Sequence, residues 1–233
     1  MYKLKFSDLK GLLLAQKFIL KDRIAWIDQG SLLGLIRDKQ FIEWDNDIDL
    51  SCHYTEKPDI RLADVKKLLE YGFVVVTSKY DITLKSLNDK AKTKKIDITY
   101  IHRQNGRYVK SYSDYKHQNI VAKLFEKTIK EGTDLLRSVR KPAPRLFLWM
   151  IVNAVTYTYR SYVMKTVRMT CPEWQFELHK EPLLANLNAI YIYKEPENYL
   201  EYKFGPDWRT PKRDWDYTLE DGAVMSTTTE QLA

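Results

Sequence analysis

The run Trp44-Asp45-Asn46-Asp47-Ile48-Asp49-Leu50 constrains the fold more than any other stretch of this chain. Side chains at i and i+2 of a strand share a face. Asp47 and Asp49 therefore point one way, with Asp45 in the same parity at the strand's start, while Ile48 and Leu50 point the other way. Such a strand needs cover on its apolar side and something positive on its acidic side, because two carboxylates about 5 Å apart repel by roughly 3 kcal/mol at an effective dielectric of ~20. Asp97, between Ile96 and Ile98 in "KKIDITYI", has the same alternation. If the two strands are neighbours, Asp47, Asp49 and Asp97 converge. Three carboxylates together are oxygen ligands for a hard divalent cation such as Mg²⁺ or Mn²⁺. Pairs of such ions clamp the attacking and leaving oxygens of an in-line displacement at phosphorus.

What precedes the acids sharpens this reading. Acids at a strand end are common, and "WDND" alone could be a turn held by Asx hydrogen bonds. Here, however, "DQGSLLGLIR" places Gly30 and Ser31 about fifteen residues upstream. Gly30 permits close backbone approach, and a helix starting at Ser31 would aim free N–H groups at a phosphate. Arg37 suits a bidentate phosphate contact, with an ion pair to Asp38 or Glu43 as the alternative. Asp45 reads equally as ligand or turn cap. Trp44 reads as a core or lid aromatic, and Trp208, Trp215 and Tyr217 as packing groups over the rim of the site. His53, His102, His117 and His179 are scattered, and none pairs with a cysteine at zinc-binding spacing.

The periodicities predict an α/β (α+β) chain with a mixed sheet flanked by helices. An amphipathic helix capped by Ser7 comes first, then strands at 24–27 and 47–52, a helix at 59–72, and strands "FVVVTS", "ITLKSL" and "KKIDITYIH". Asn105-Gly106 marks a hairpin. We divide the chain into a catalytic core at 1–115, a basic, helical, partly apolar insertion at 116–172, and a C-terminal segment at 173–233 that completes the domain. That last segment holds a helix at 194–205 and ends in a loose tail of about fifteen residues.

A net charge of +7 predicts an anionic partner. No nucleic-acid reader motif is present, so nucleic acid is not expected. Two cysteines make no disulfide framework, which favours a reducing, cytoplasmic setting. No run of about 18 apolar residues is present to span a membrane. Between Leu135 and Pro172 there are seven Lys and Arg and no acid, around "LFLWMIVNAVTYTY". Residues 137–168 therefore carry two readings: peripheral contact with anionic lipid on the inner face of a membrane, or a buried subdomain with a basic rim.

"DQGSLLGLIRDKQFIEWDNDIDL" resembles the signature of the LicD family, to which fukutin and fukutin-related protein are also similar. The matching residues are Gly30, Ser31, Leu32, Leu33, Gly34, Arg37, Trp44, Asp45, Asn46, Asp47 and Asp49. "ENYLEYKFGPDWRTP" resembles the family's C-terminal ending. The chain departs from the pattern at Gln29, where Gly is frequent, at Asn46, where Asp is frequent, and at Phe204, where Tyr is usual.

The resemblance implies a nucleotidyltransferase-fold core. It also implies transfer of a phosphorylated alcohol, phosphocholine-, ribitol-phosphate- or glycerol-phosphate-like, from a CDP-activated donor to a saccharide or lipid-linked glycan, with release of CMP. Carried over, Asp47 and Asp49 would bind Mg²⁺ on the donor, and Asp97 would hold a second ion or take the acceptor's proton. Gly30, Ser31, Gly34, Arg37 and Asp45 would contact substrate. Two alternatives stand beside this: transfer of a whole NMP to a small molecule or protein, and a non-catalytic nucleotide-binding protein.

Overall fold

The computed structural model describes residues 2–56, 59–78, 81–88, 93–104, 107–114, 120–163, 165–172, 183–184 and 186–226. Its frame is one mixed sheet. Strands β1 (Ala25–Ile27), β2 (Asp47–His53), β5 (Lys95–Gln104), β6 (Arg107–Asp114), β7 (Lys165–Pro172), β8 (Ile190–Tyr191) and β9 (Val224–Ser226) run in the order β8-β1-β2-β5-β6-β7-β9. β3 (Phe73–Thr77) pairs with β4 (Asp81–Ser86), and β4 pairs with the first half of β5. β2 and β5 lie parallel in the centre, with Asp49 opposite Asp97. An α+β fold with a mixed sheet is what the periodicities predict.

The apolar face is built by the residues that alternate with the acids. Ile48, Leu50, Ile96 and Ile98 are buried, which stabilises by ~1.5–3 kcal/mol for each side chain. Helix α1 (Phe6–Ala15), continued by π-helical turns at Gln16–Leu20, packs there with Leu12, Ala15, Phe18 and Ile19. Gly11 lets it approach, since a Cβ at that position would lie 3.1 Å from Ile96 Cδ1. The helix begins one residue before Ser7. Lys5 occupies the cap position without a side-chain bond, which corrects the expected Ser7 cap.

Helices α3 (Leu62–Glu70) and α6 (Pro196–Phe204) follow the predicted stretches with narrower ends, while α2 (Gln29–Asp38) begins two residues before the expected Ser31. The 116–172 segment is helical for most of its described length, in α4 (Ile120–Ser138) and α5 (Pro142–Val163), but it closes with β7, an interior strand of the sheet. α5 covers β3, whose outer edge would otherwise expose backbone groups. Trp149 Nε1 donates to Val75 O (2.6 Å), and Asn153 Oδ1 accepts from the Thr77 amide (2.9 Å). The other side of α5 exposes Phe147, Met150, Ile151 and Tyr157. No helix among the described residues is long and apolar enough to cross a membrane.

The C-terminal segment carries regular structure up to residue 226, where the described residues end. α7 (Tyr217–Glu220) leads into β9, which pairs with β7. Lys203 and Asp221 form a buried ion pair, with 2% and 0% of their side chains exposed. Residues 227–233 lie outside the described residues.

Candidate active site

The parallel register of β2 and β5 sets the site. It puts Asp47 beside Lys95 and Asp49 beside Asp97, all on the face opposite Ile48 and Ile96. The Lys95 ammonium lies 2.8 Å from Asp47 Oδ2 and 2.6 Å from Asp97 Oδ2. This is the positive group that the crowded acids call for. Sequence reasoning passed over it, although Lys95 shares Asp97's face by the same i, i+2 rule. Thr83, registered on Asp97 from β4, donates to Asp97 Oδ1 (2.6 Å), so both oxygens of that carboxylate are held. One ammonium does not balance the acids. Burial, followed by a hydrogen bond and charge from Asp47, pushes the Asp45 carboxyl up to about 7. Asp49 is pushed well above the usual carboxylate range by burial and then by Asp47. Asp47 is held low despite its burial, through the Asp45 hydrogen bond and the Lys95 charge.

Helix α2 frames the acids from one side, and here several expectations change. The helix is capped by Asp28, whose Oδ1 accepts from the Gln29 amide (2.7 Å), and not by Ser31. Ser31 is buried inside the first turn, and its Oγ accepts from the Asp49 amide (2.8 Å). It therefore fixes β2 to α2 and is a strut beneath Asp49. Gln29, at the position where the family pattern favours glycine, has φ +51°, the left-handed region that glycine enters most easily. Gly30 lies on the cleft, where a Cβ would meet Asp45 Oδ2 at 3.0 Å.

Gly34 is not among the residues that line the cleft. A Cβ there would lie 2.7 Å from Gln40 O and 2.8 Å from Ile42 N, so the residue lets α2 seat against the segment leading to the acids. Gly34→Ala is expected to lower stability by about 1–3 kcal/mol, because backbone must move; a urea melt measures it. Arg37 reaches the cleft lining but spends Nε and one terminal nitrogen on Asp38, at 2.9 and 2.8 Å. The expected alternative, a structural ion pair, is the arrangement present.

Asp28 organises a buried network. Oδ1 also accepts from Tyr199 OH (2.5 Å), and Oδ2 accepts from Ser51 Oγ (2.6 Å) and Lys110 Nζ (2.8 Å). Burial alone would raise its pKa. The charges of Lys110 and Lys203, with the hydrogen bonds from Lys110 and Ser51, outweigh burial and hold it far below the carboxylate range. No local pattern announces Lys110 or Tyr199; the hairpin strand β6 and helix α6 deliver them from far along the chain.

The cleft above the acids has a volume of about 710 Å³. Its far wall comes from α6 and the loop after it. Phe204, Trp208 and Trp215 line the cleft together with Trp44, Lys212 and Arg213. Trp44 is 45% exposed and lies under the Arg213 guanidinium (4.8 Å), so it belongs to the lip and not to the core. Trp208 and Trp215 line the cleft, as expected of rim groups, and nothing is described of the Tyr217 side chain. His53 stacks between Trp26 and Tyr108, and His102 lies against Tyr54. His117 and His179 lie outside the described residues.

Among the described residues, no three His, Cys, Asp or Glu side chains converge as a metal-ligand set, and Lys95 stands between Asp47 and Asp97. The donor chemistry nevertheless suits a hard divalent cation: every acid offers carboxylate oxygen, and the raised Asp45 and Asp49 carboxyls mark negative charge beyond what Lys95 offsets.

Acids gathered on adjacent parallel strands, beside the capped end of a helix, suit a domain that handles phosphate esters. Residues 24–135 match the family model described as LicD/FKTN/FKRP, nucleotidyltransferase domain. Over those residues, just under half of its length, the chain is similar to this family, a family of transferases. The match takes in Gly30, Asp45, Asp47, Asp49 and Asp97 and stops before the aromatic wall at 204–215. No curated protein matches the chain.

Proposed function

We propose that this protein transfers a phosphorylated alcohol from a CDP-activated donor to a saccharide hydroxyl, releasing CMP, in the modification of cell-surface glycans. One observation carries the reading: within a LicD-family domain, Asp49 registers on Asp97 across two parallel strands and Asp47 joins them on the floor of one cleft. Asp47, Asp49 and Asp97 would hold the proposed Mg²⁺ or Mn²⁺, which when bound neutralises charge on the donor diphosphate.

The chain's own groups do the rest. Gly30 leaves room for the diphosphate beside Asp45. Arg213 and Lys212 line the same cleft as the acids and would attract the phosphates. The acceptor oxygen bonds to the phosphorus that carries the alcohol, its proton passes to Asp97, and the bond from that phosphorus to the bridging oxygen breaks so that CMP departs. Thr83 and Lys95 keep the Asp97 carboxylate aimed. Among head groups, the wall of Trp44, Phe204, Trp208 and Trp215 suits a quaternary ammonium, which aromatic faces attract.

Incubation with Mg²⁺ and CDP-choline, CDP-ribitol or CDP-glycerol is expected to release CMP, fastest from CDP-choline, and chelation should stop it. Pyrophosphate release from an NTP, without CMP release from any CDP-alcohol, would instead assign nucleotidyl transfer.

A further inference from the structure

A second cavity, of about 630 Å³, lies between the α4–α5 hairpin and strands β3 and β4. It abuts the acidic cleft, because Thr83 and Lys95, the two groups that hold Asp97, line both spaces. The charge changes sign across them. The cleft is lined by six aspartates against four Lys and Arg, whereas the second cavity has Lys85, Lys95, Lys130 and Arg137 against a single acid, Asp134. Asp134 is paired with Arg137 (2.5 Å), and Lys95 is engaged by Asp47 and Asp97. The net attraction for an anion therefore centres on Lys85 and Lys130, both exposed. Facing them are Val76, Ile129 and Tyr159, with Tyr159 almost fully buried.

We infer that this cavity is the acceptor site and that it takes an anionic saccharide, a sugar phosphate or a uronic acid. The inference rests on the transfer reading proposed above. In-line displacement requires the attacking hydroxyl to approach phosphorus from the side opposite the leaving group. With the diphosphate placed at Gly30, we assign the acceptor's approach to the Thr83–Lys95 boundary, which the second cavity shares with the cleft. A sugar there presents a hydroxyl to Asp97, sets its anionic group on Lys85 and Lys130, and lays its carbon face on Tyr159 and Ile129. The volume falls within the usual range for a small-molecule site, about 300–1,000 Å³. The basic character of the inserted hairpin thereby gains a use at its inner surface.

The test is calorimetric titration of glucose 6-phosphate, glucuronic acid and glucose into the native protein and into Lys85→Glu/Lys130→Glu. Lys85→Gln/Lys130→Gln serves as a second variant should charge reversal disturb folding. The acidic sugars are expected to bind the native chain and to lose at least about tenfold in affinity in either variant. Glucose should not distinguish the three proteins, and CDP should bind all of them alike. A response from glucose 6-phosphate alone identifies phosphate as the recognised group; a response from both acidic sugars identifies negative charge in general. Acidic sugars that bind no tighter than glucose, or that ignore both variants, overturn the inference. CMP release from CDP-choline, measured in parallel, separates the two claims. CMP release with charge-blind sugar binding removes the acceptor site only, and charge-dependent sugar binding without CMP release removes the transfer reading only.

Discussion

Asp49→Asn is expected to lower turnover by on the order of 10³-fold, about 4 kcal/mol of barrier, while making the metal-free protein more stable at neutral pH. The two effects have one cause. Everything that Asp49 contributes to the scaffold is main-chain. Its amide donates to Ser31 Oγ, its carbonyl accepts from the Asp28 amide, and its register on β5 is set by the ladder. An amide side chain keeps all three. The carboxylate is a liability to the fold, since burial and then Asp47, with Asp97 and Asp45, raise its pKa, and Lys110 offsets this only in part.

The sign follows from linkage. A carboxyl whose folded pKa lies above its unfolded value of about 3.8 binds more protons in the native state, so its contribution to stability is complete below that value and is lost as pH climbs through the folded pKa. Asparagine has no proton to lose. Melting curves without divalent cations should nearly coincide at pH 3.5 and separate in favour of Asp49→Asn at pH 7.5. Addition of Mg²⁺ should then raise the melting temperature of the native chain more than that of the variant. Unchanged turnover, or a variant less stable than the native chain at pH 7.5, would contradict the assignment.

The parts of the site that were legible in the sequence are those written at short range. Alternation of Ile48 and Leu50 with Asp47 and Asp49 dictates which face is buried, and the same alternation around Asp97 predicts its direction. The structure adds the parallel register that makes them neighbours. Lys95 is equally legible, since it stands two residues before Asp97 and shares its face. Ser31 reads as the start of a helix that suits a phosphate, and the family resemblance implies substrate contact at Gly34, but the helix starts two residues earlier and both residues are buried. The remaining errors are of a different kind. A strand of mostly polar residues closing the basic segment, and a strand formed from the chain's last described residues, exist only because β6 and β7 offer open edges to them. No window of local sequence contains that information.

The network behind the acids predicts the largest effect on stability. Asp28→Ala is expected to cost about 3–5 kcal/mol, the range for breaking a buried ion pair from one side, which is a large share of the roughly 5–15 kcal/mol that holds a domain together. Lys110, with 7% of its side chain exposed, would be left buried without its closest carboxylate, Tyr199 OH and Ser51 Oγ would lose their acceptor, and α2 would lose its cap. Removing both charges should cost far less, since neutral replacement of a buried pair is often tolerated. Asp28→Asn with Lys110→Met, in which Asn can still cap α2, is therefore expected to recover most of the loss in urea melts at pH 7.

The pH dependence has the opposite sign from that of Asp49. Asp28 has a folded pKa below its unfolded one, so its contribution is complete above about pH 4 and is lost as pH falls toward the folded value. The native chain should weaken between pH 4 and pH 2 more steeply than the paired variant. A single variant that loses less than about 1 kcal/mol, or a paired variant as unstable as the single one, would show that the pair does not hold the fold. Recovery of stability should not bring full recovery of turnover. Lys110 is the positive charge that lowers the Asp49 pKa, so with methionine in its place Asp49 needs a higher pH to ionise. The pH profile of CMP release should shift upward even though the protein is folded.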